Sequence, residues 1–379
     1  MSFTSLGLSK SLLKELENQN YTQPTPIQTE AIPAILNRKD VLGIAKTGSG
    51  KTASFALPIL MNLQGAEILK NRHVHVLVLV PTRELAIQVA EVFDAFGKIM
   101  PDAPKTLAIF GGVSVNSQMQ SLQDVNILVA TPGRLLDLTD ANAVKLGSVE
   151  TLVLDEADKM LNLGFKAEME EIYKLLPQKR QNLLFSATLN KNISLIKGLL
   201  LDDPIVIKVK DENEGKELDL IKQIAYQVEE SRKGPLLRHL ITSKKLKQVL
   251  IFASSVYKAD NIADKLRNHG IDAQAIHGKK TQAARTSALK TFKDKQLRVL
   301  VATDILSRGI DINELPCVIN YELPRSPKDY IHRIGRTGRA DAQGEAISLV
   351  SPEDAQHFKV IQKKMGKWVN MIDSDNLEF

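Results

Sequence analysis

Two short stretches have the residue types and spacing that chemistry on a phosphate requires. Ala45 to Thr52 reads AKTGSGKT and directly follows the apolar run Val41-Leu42-Gly43-Ile44. An apolar strand, a loop holding Gly48 and Gly50, and a Lys-Thr pair opening a helix together wrap backbone N–H groups around phosphates. Glycine permits close backbone approach and positive φ, Lys51 reaches toward β and γ phosphates, and the Thr52 hydroxyl suits Mg²⁺. Ala45 stands where the general G-x-x-x-x-G-K-[ST] pattern has its first glycine, and a Gly-Ser turn followed by a chance Lys-Thr would give the same octet. The second stretch is Asp155-Glu156-Ala157-Asp158, at the end of the apolar run Thr151 to Leu154. Asp155 is suited to hold Mg²⁺, and Glu156 to orient or deprotonate an attacking water. Carboxylates after a strand also simply favour the start of a helix.

Something must bring these stretches together. Apolar runs of strand length recur at 74–80, 106–110, 127–130, 151–154 and 182–185, separated mostly by segments of helical period. Near-continuous apolar strands alternating with helices imply an α/β fold whose parallel sheet is covered on both faces. Helical spacing over 9–19 and 27–38, joined by the turn-rich TQPTP, precedes the first strand. The pattern stops at Asp202, and DENEGKEL has linker composition. Strands resume at 224–228, 249–252, 272–276, 299–302, 318–321 and 345–350. The expected division is therefore a first domain over 1–207 that carries the phosphate loop, a linker over 208–218 and a second α/β domain over 219–379. At 379 residues, two domains is also the natural prior.

Composition excludes several classes. The lone cysteine, Cys317, rules out an internal disulfide and any cysteine metal cluster, and fits a reducing, cytoplasmic setting. No apolar run approaches the roughly 18 residues that a membrane helix needs. Formal net charge is +6, and the basic excess lies in the second half, where residues 211–379 carry 28 basic and 23 acidic side chains. That balance mildly favours a polyanionic partner. His73 and His75 alternate along an apolar run without a third ligand, a poor metal site. Trp368 is expected in a carboxyl-terminal helix as a core residue.

The order of further motifs supplies a resemblance. DEAD at 155–158 follows AKTGSGKT, with PTRELA at 81–86, Gly111-Gly112, TPGR at 131–134 and SAT at 186–188 in between or after. The second half adds ATDILSRGIDI at 302–312 and HRIGRTGR at 332–339. The chain resembles the DEAD-box RNA helicases along nearly its whole length. The resemblance implies two tandem RecA-like domains, each a mostly parallel sheet with helices on both faces, that close on ATP and RNA together. It extends the ATP site to Thr47, Gly48, Ser49 and Gly50 beside Lys51 and Thr52, and to an adenine-sensing segment over 1–28. There Gln28 would select adenine through its amide, which both donates and accepts, while Tyr21 and Phe3 pack at the adenine end. Asn20 replaces the family's usual glycine. Arg336 and Arg339 would be the arginines lent to the γ-phosphate, and Asp158, Ser186, Thr188 and His332 would couple hydrolysis to closure. Absent the resemblance, His332 and Arg333 read as a solvated basic face and Phe3 as a terminal hydrophobe.

The implied RNA contacts are Pro81, Thr82, Arg83, Gly112, Thr131, Gly133 and Arg134 in the first domain. In the second they are Gln282, Arg285, Thr303, Gly309 and Asp311. Hydroxyls, backbone N–H groups and arginines suit phosphate oxygens, so binding should follow the sugar-phosphate backbone without base specificity. Lys46 and Ile305-Leu306-Ser307 depart from the family pattern beside these groups. The expected activity is an RNA-stimulated ATPase, with ATP and Mg²⁺, coupled to local duplex unwinding or RNA–protein remodelling. An ATP-gated RNA clamp with little unwinding is the alternative, and a DNA helicase a third reading. A monomer working in the cytoplasm, with ribosomal or RNA-decay proteins as possible partners, completes the expectation.

Overall fold

The computed structural model describes residues 2–46, 48–66, 71–189, 191–209, 221–304, 315–338 and 344–378. Its chain divides into two compact units, Met1–Lys210 and Asp211–Phe379. The first holds strands β1 (Val41–Ile44), β2 (Val76–Leu79), β3 (Thr106–Ile109), β4 (Ile127–Ala130), β5 (Thr151–Leu154), β6 (Gln181–Ser186) and β7 (Ile205–Lys208). Among the described residues its helices are α1 (Lys10–Asn18), α2 (Pro26–Leu36), α3 (Lys51–Asn62), α4 (Arg83–Gly97), α5 (Val115–Ser121), α6 (Pro132–Asp140), α7 (Ala157–Asn162), α8 (Lys166–Leu175) and α9 (Lys191–Leu200). The second unit holds β8 (Ile221–Gln227), β9 (Val249–Ala253), β10 (Ala273–Ile276), β11 (Val299–Thr303), β12 (Cys317–Asn320), β13 (Gly344–Val350) and β14 (Asn370–Asp373). Its described helices are α10 (Lys233–Ser243), α11 (Val256–Asn268), α12 (Gln282–Lys293), α13 (Pro327–Ile334) and α14 (Ala355–Met365).

Both sheets are parallel, and their strand orders are β3-β4-β2-β5-β6-β1-β7 and β10-β11-β9-β12-β13-β8-β14. Counted from each unit's first strand, the two orders are the same. The architectural duplication read from the alternation of strands thus extends to topology. Side chains of successive strand residues enter opposite layers. Val76 and Val78 join one core with Ile127 and Val129, whereas Leu77 and Leu79 join the other with Leu128 and Ala130. Burial on both faces is why these strands read as unbroken apolar runs.

The polar chemistry of the first unit follows from this arrangement. All of its strands run the same way, so the turn after each one emerges at a single edge. AKTGSGKT leaves β1, PTRELA leaves β2, Gly111-Gly112 follows β3, TPGR leaves β4, DEAD leaves β5, and SAT closes β6. Open parallel sheets bind ligands outside the carboxyl ends of their strands.

Three sequence expectations need correction. The apolar pattern does not end at Asp202: Ile205–Lys208 forms the edge strand β7 against β1, so Lys208 belongs to the sheet. Only Ile207 of this strand is buried, which left too short a signal to read. Residues 370–373 form β14, another edge strand, paired to β8. Trp368 lies between α14 and β14 and is 71% exposed, neither helical nor core. The rest of the expected linker, 210–218, lies outside the described residues. Among those described, no helix is long and apolar enough to cross a membrane.

Gly43 in β1 marks a tight point in the first unit. A Cβ there would stand 2.6 Å from the Phe185 ring and 3.2 Å from Ile27, so ring, strand and α2 approach as closely as they do because the side chain is missing. Gly43→Val should therefore lower the stability of the first unit by about 1–3 kcal/mol through overpacking. Thermal unfolding followed by circular dichroism would show it, and an unchanged midpoint would mean that Phe185 swings away without cost.

Candidate nucleotide and RNA site

The phosphate loop adopts the left-handed conformations its glycines permit, with φ of +85° at Gly48 and +87° at Gly50. Lys51, the first residue of α3, is buried and donates from Nζ to the Ala45 carbonyl at 2.8 Å. Ala45 occupies the first-glycine position outside the left-handed region, its N–H donating to the Ser186 carbonyl at 3.1 Å and its carbonyl accepting from Lys51. Lys46 is exposed, and Thr47 lies outside the described residues. Gln28 holds the loop from below: its Oε1 accepts from the Thr25 N–H at 2.9 Å, and its Nε2 donates to the Gly50 carbonyl at 3.2 Å. One amide thus caps α2 and clasps the loop. Asn20 takes φ of +62°, a conformation asparagine tolerates, so the turn forms without the family's glycine. Tyr21 meets Phe96 edge-on at 5.8 Å, and Phe3 is buried in the core of the first unit.

Asp155 and Glu156 are both buried at the end of β5. Glu156 is held at φ +54° and ψ +43°, a left-handed conformation unusual for a glutamate. Its carboxylate pairs with Lys159 Nζ at 2.6 Å. Burial pushes the Asp155 carboxyl up from 3.8 to about 6; the Lys51 cation opposes this shift and the Glu156 charge adds to it. Asp155 Oδ1 has no hydrogen-bond partner among the described residues. Thr188 Oγ1 donates to Asp158 Oδ2 at 2.9 Å, linking the SAT turn to the acidic segment. Ser186 instead donates to the Thr188 carbonyl, shaping the turn itself.

The proposed RNA contacts of the first unit share its carboxyl edge, but they are not equally placed. Thr82 caps α4, accepting from the Leu85 N–H. The Arg83 guanidinium lies over Gly112, where a Cβ would collide with it and where φ is +81°. Gly133 and Thr131 open α6. Arg134 is buried and turned inward, donating to Gln118 Oε1 at 2.7 Å, the Val113 carbonyl at 3.1 Å and Asp137 at 3.2 Å. It ties the Gly111-Gly112 turn to α6 and so positions its neighbours. Gln118 carried no motif signal, and sequence alone did not indicate that pairing.

In the second unit, Thr303 ends β11, and Gln282 and Arg285 lie in the first turn of α12, with Arg285 buried. Gly309, Asp311, Arg339 and Ile305-Leu306-Ser307 lie outside the described residues. Arg336 is buried in the turn after α13, its carbonyl accepting from the Leu315 N–H ahead of β12. His332 sits in the last turn of α13. Arg333 is no solvated cation. It makes a two-pronged pair with Asp304 at 2.6 and 2.7 Å, donates to Asn320 and the Glu322 carbonyl, and packs over Phe252. Partners so distant in sequence leave no local signal. His75 pairs with Glu150 and His73 with Ser148, and no metal-holding group of three or more His, Cys, Asp or Glu occurs among the described residues. Cys317 is buried, with its thiol pushed up to about 12 by burial, and serves as a small hydrophobe.

A phosphate loop and an acidic pair on one parallel sheet, followed by a second sheet of the same topology, define a protein of two tandem RecA-like units. Residues 25–196 match the DEAD/DEAH box helicase family, and residues 232–341 the helicase conserved C-terminal domain. The DEAD-box ATP-dependent RNA helicase CshA of Bacillus cereus is 39% identical over 380 residues, spanning 100% of this chain and 70% of the relative. The ATP-dependent RNA helicase CshA of Limosilactobacillus reuteri is 40% identical over 366 residues, 96% of this chain and 72% of that one. Among solved structures, S. cerevisiae Dbp5 bound to RNA and ADP BeF3 matches with a TM-score of 0.81 at 28% identity, covering 99% of this chain and 96% of the other. A DEAD box protein from the hyperthermophile Methanococcus jannaschii matches at 37% identity, covering 98% of this chain and 99% of the other, with a TM-score of 0.53. The chain belongs to the DEAD-box helicases.

Two outcomes follow from this geometry. Gly112→Ala forces the Arg83 guanidinium from its place and strains the turn, so RNA affinity should fall about tenfold, on the order of 1–2 kcal/mol, while ATP affinity is unchanged. Fluorescence binding assays with each ligand would separate the two. For Asp155, the folded unit holds the proton more tightly than the unfolded chain. Its stability therefore declines as pH rises from about 4 to about 6 and is level above. Asp155→Asn should raise the ligand-free unfolding free energy at pH 8, by on the order of 1–3 kcal/mol, and leave it nearly unchanged at pH 4, as denaturant titrations at each pH would read. Equal shifts at both pH values would reject burial of the charge as the cause.

Proposed function

We propose that this protein is an ATP-dependent RNA helicase whose RNA-stimulated ATP hydrolysis drives local duplex unwinding or RNA–protein remodelling. The observation that carries this reading is the placement of buried Lys51 and the buried pair Asp155 and Glu156 on one sheet edge, close enough for Lys51 to act on the Asp155 charge. The relatives' printed names, and RNA with ADP BeF3 on Dbp5, support the substrates. The phosphate loop binds the triphosphate through its backbone N–H groups, and Lys51 exchanges the Ala45 carbonyl for phosphate oxygens. Glu156, fixed by its backbone conformation and by Lys159, orients the attacking water and takes its proton as the bond to the γ-phosphorus forms and ADP leaves. Gln28, clasping the loop through Gly50, reports adenine to the phosphate site through its remaining donor and acceptor. Tyr21 and Phe3 complete the adenine end.

The residues fit Mg²⁺. Asp155 Oδ1 is a buried acceptor without a hydrogen-bond partner among the described residues, and the Thr52 hydroxyl stands in the first turn of α3. One carboxylate with one hydroxyl, completed by phosphates and water, is the usual holding of this ion. When bound it offsets phosphate charge. Arg336 and Arg339 supply positive charge to the transferred phosphoryl group, and Thr188, through Asp158, passes the state of the acidic segment to the SAT turn. RNA is held by its sugar-phosphate backbone through Pro81, Thr82, Arg83, Gly112, Thr131 and Gly133, and through Gln282, Arg285, Thr303, Gly309 and Asp311. The protein acts in the cytoplasm as a monomer.

Steady-state ATP hydrolysis without nucleic acid, with single-stranded RNA and with DNA of the same sequence tests the reading at one stated salt concentration. RNA alone should stimulate. Glu156→Gln should lower the RNA-stimulated rate by about 10²–10⁴-fold and leave ATP and RNA affinities within about twofold. Undiminished turnover would remove Glu156 from its role. Equal stimulation by DNA would overturn the RNA reading.

A further inference from the structure

At the amino ends of β9 and β11 lies a shallow, open basic depression, here called the cavity, that none of the nucleotide- or RNA-site residues lines. Its volume is about 430 Å³, and its walls include Lys245, Lys247, Lys295 and Arg298 with Leu246 and Gln296. No carboxylate and no aromatic ring lines it. The two segments that form it, 242–248 and 290–298, hold seven basic side chains and one acidic, Asp294. Lys244 is spent on Glu345 at 2.7 Å. Arg298 is fixed by donating to the Leu246 carbonyl at 2.7 Å and the Ile241 carbonyl at 3.0 Å, which places its cation between the two segments.

The lysines sit where the backbone argues against them. Helices α10 and α12 both end in a Schellman turn: Lys245 N–H bonds to the Thr242 carbonyl and Leu246 N–H to Ile241, while Lys295 bonds to Phe292 and Gln296 to Thr291. In each turn the residue after the cap is left-handed, with φ of +51° at Lys245 and +59° at Lys295. That position is usually glycine. Helix α11, in the same unit, ends with the same two bonds and has Gly270 there, at φ +74°. Offsetting a helix dipole calls for cations near each carboxyl terminus. Helix α2 of the first unit also ends in such a turn, with Arg38 at φ +56°, so what sets α10 and α12 apart is that their two left-handed lysines converge on one depression.

We propose that this cavity is a second RNA contact, which takes phosphodiester groups of a strand or duplex flank beyond the contacts near Thr303. The inference rests on the RNA-dependent reading above. Thr303 ends β11 at its carboxyl end, so the cavity lies on the opposite edge of the same sheet and serves only an RNA long enough to pass around the unit. Exposed lysines are point charges that meet phosphate without reading sequence. An acidic peptide would need apolar or aromatic anchors, and Leu246 is the sole candidate in the wall.

Lys245→Gly with Lys295→Gly removes two charges while installing the residue each turn favours, so folding is not put at risk. Binding to RNAs of about 10 and about 40 nucleotides, titrated from 50 to 200 mM salt, reads the effect. For the long RNA the variant should bind about tenfold more weakly, and the slope of log affinity against log salt should fall by about 2. Binding of the short RNA and its maximal stimulation of ATP hydrolysis should be unchanged. Lys247→Glu should act in the same direction. Equal loss for both RNAs would make the cavity part of the first site, and no loss for either would leave the lysines without this role; both overturn the inference. Failure of any RNA to stimulate the unaltered protein would instead remove the helicase reading itself.

Discussion

In a parallel sheet each strand must be returned to its start by a crossover, and helices making those crossovers cover both faces. Few polar side chains then sit within the layers, hydrogen-bonded Asn320 and Ser348 among them, and the turns at the strand ends become the natural sites for the rest. In the first unit, the carboxyl-end turns of β1 to β6 carry the phosphate loop, PTRELA, the glycine pair, TPGR, DEAD and SAT. The strand order repeats in the second unit, which carries no phosphate loop among its described residues. The shared architecture therefore accounts for where chemistry sits, and the residues at each edge for what chemistry it is.

In the first unit, left-handed Glu156 and the buried charges of Lys51, Asp155 and Asp158 lie at that edge. Glu156 in a left-handed conformation costs on the order of 1–3 kcal/mol, and it is tolerated because β5 and α7 fix the chain on either side. Asp155 is buried with its carboxyl raised to about 6, an expense that a bound cation would offset. Stability elsewhere underwrites these costs. In the first unit Asp40 accepts from the backbone N–H groups of Asn182 and Asp202, tying β6 and the approach to β7 to the loop before β1. In the second, Arg333 spends its guanidinium on Asp304, Asn320 and the Glu322 carbonyl, fixing the ends of β11 and β12 beside the HRIGRTGR segment.

The reading of strands from apolar runs succeeded where both faces are buried and failed at the two sheet edges. β7 buries one residue and β14 none completely, so neither carries the continuous pattern of a central strand. Trp368 shows the complementary error. A large aromatic is more often buried than not, but the chain leaves α14 at Gly366, in a left-handed turn, and carries the ring into solvent. Arg134 is the instructive case among site residues. Its place in TPGR suggested a phosphate contact, yet its guanidinium is satisfied by Gln118 and the Val113 carbonyl, both reached only through the packing of α5 and α6.

The sequence by itself determined the fold class, the two-unit division and the order of the chemical groups, because each rests on local information: apolar period, glycine at turns and motifs of contiguous residues. Only the tertiary structure decided which of those groups face outward, which serve as internal braces and where unrelated lysines meet. Arg134, Arg333 and Arg298 are indistinguishable as letters. Their burial and partners depend on residues 16, 29 and 52 positions away along the chain, brought close by sheet order rather than by spacing.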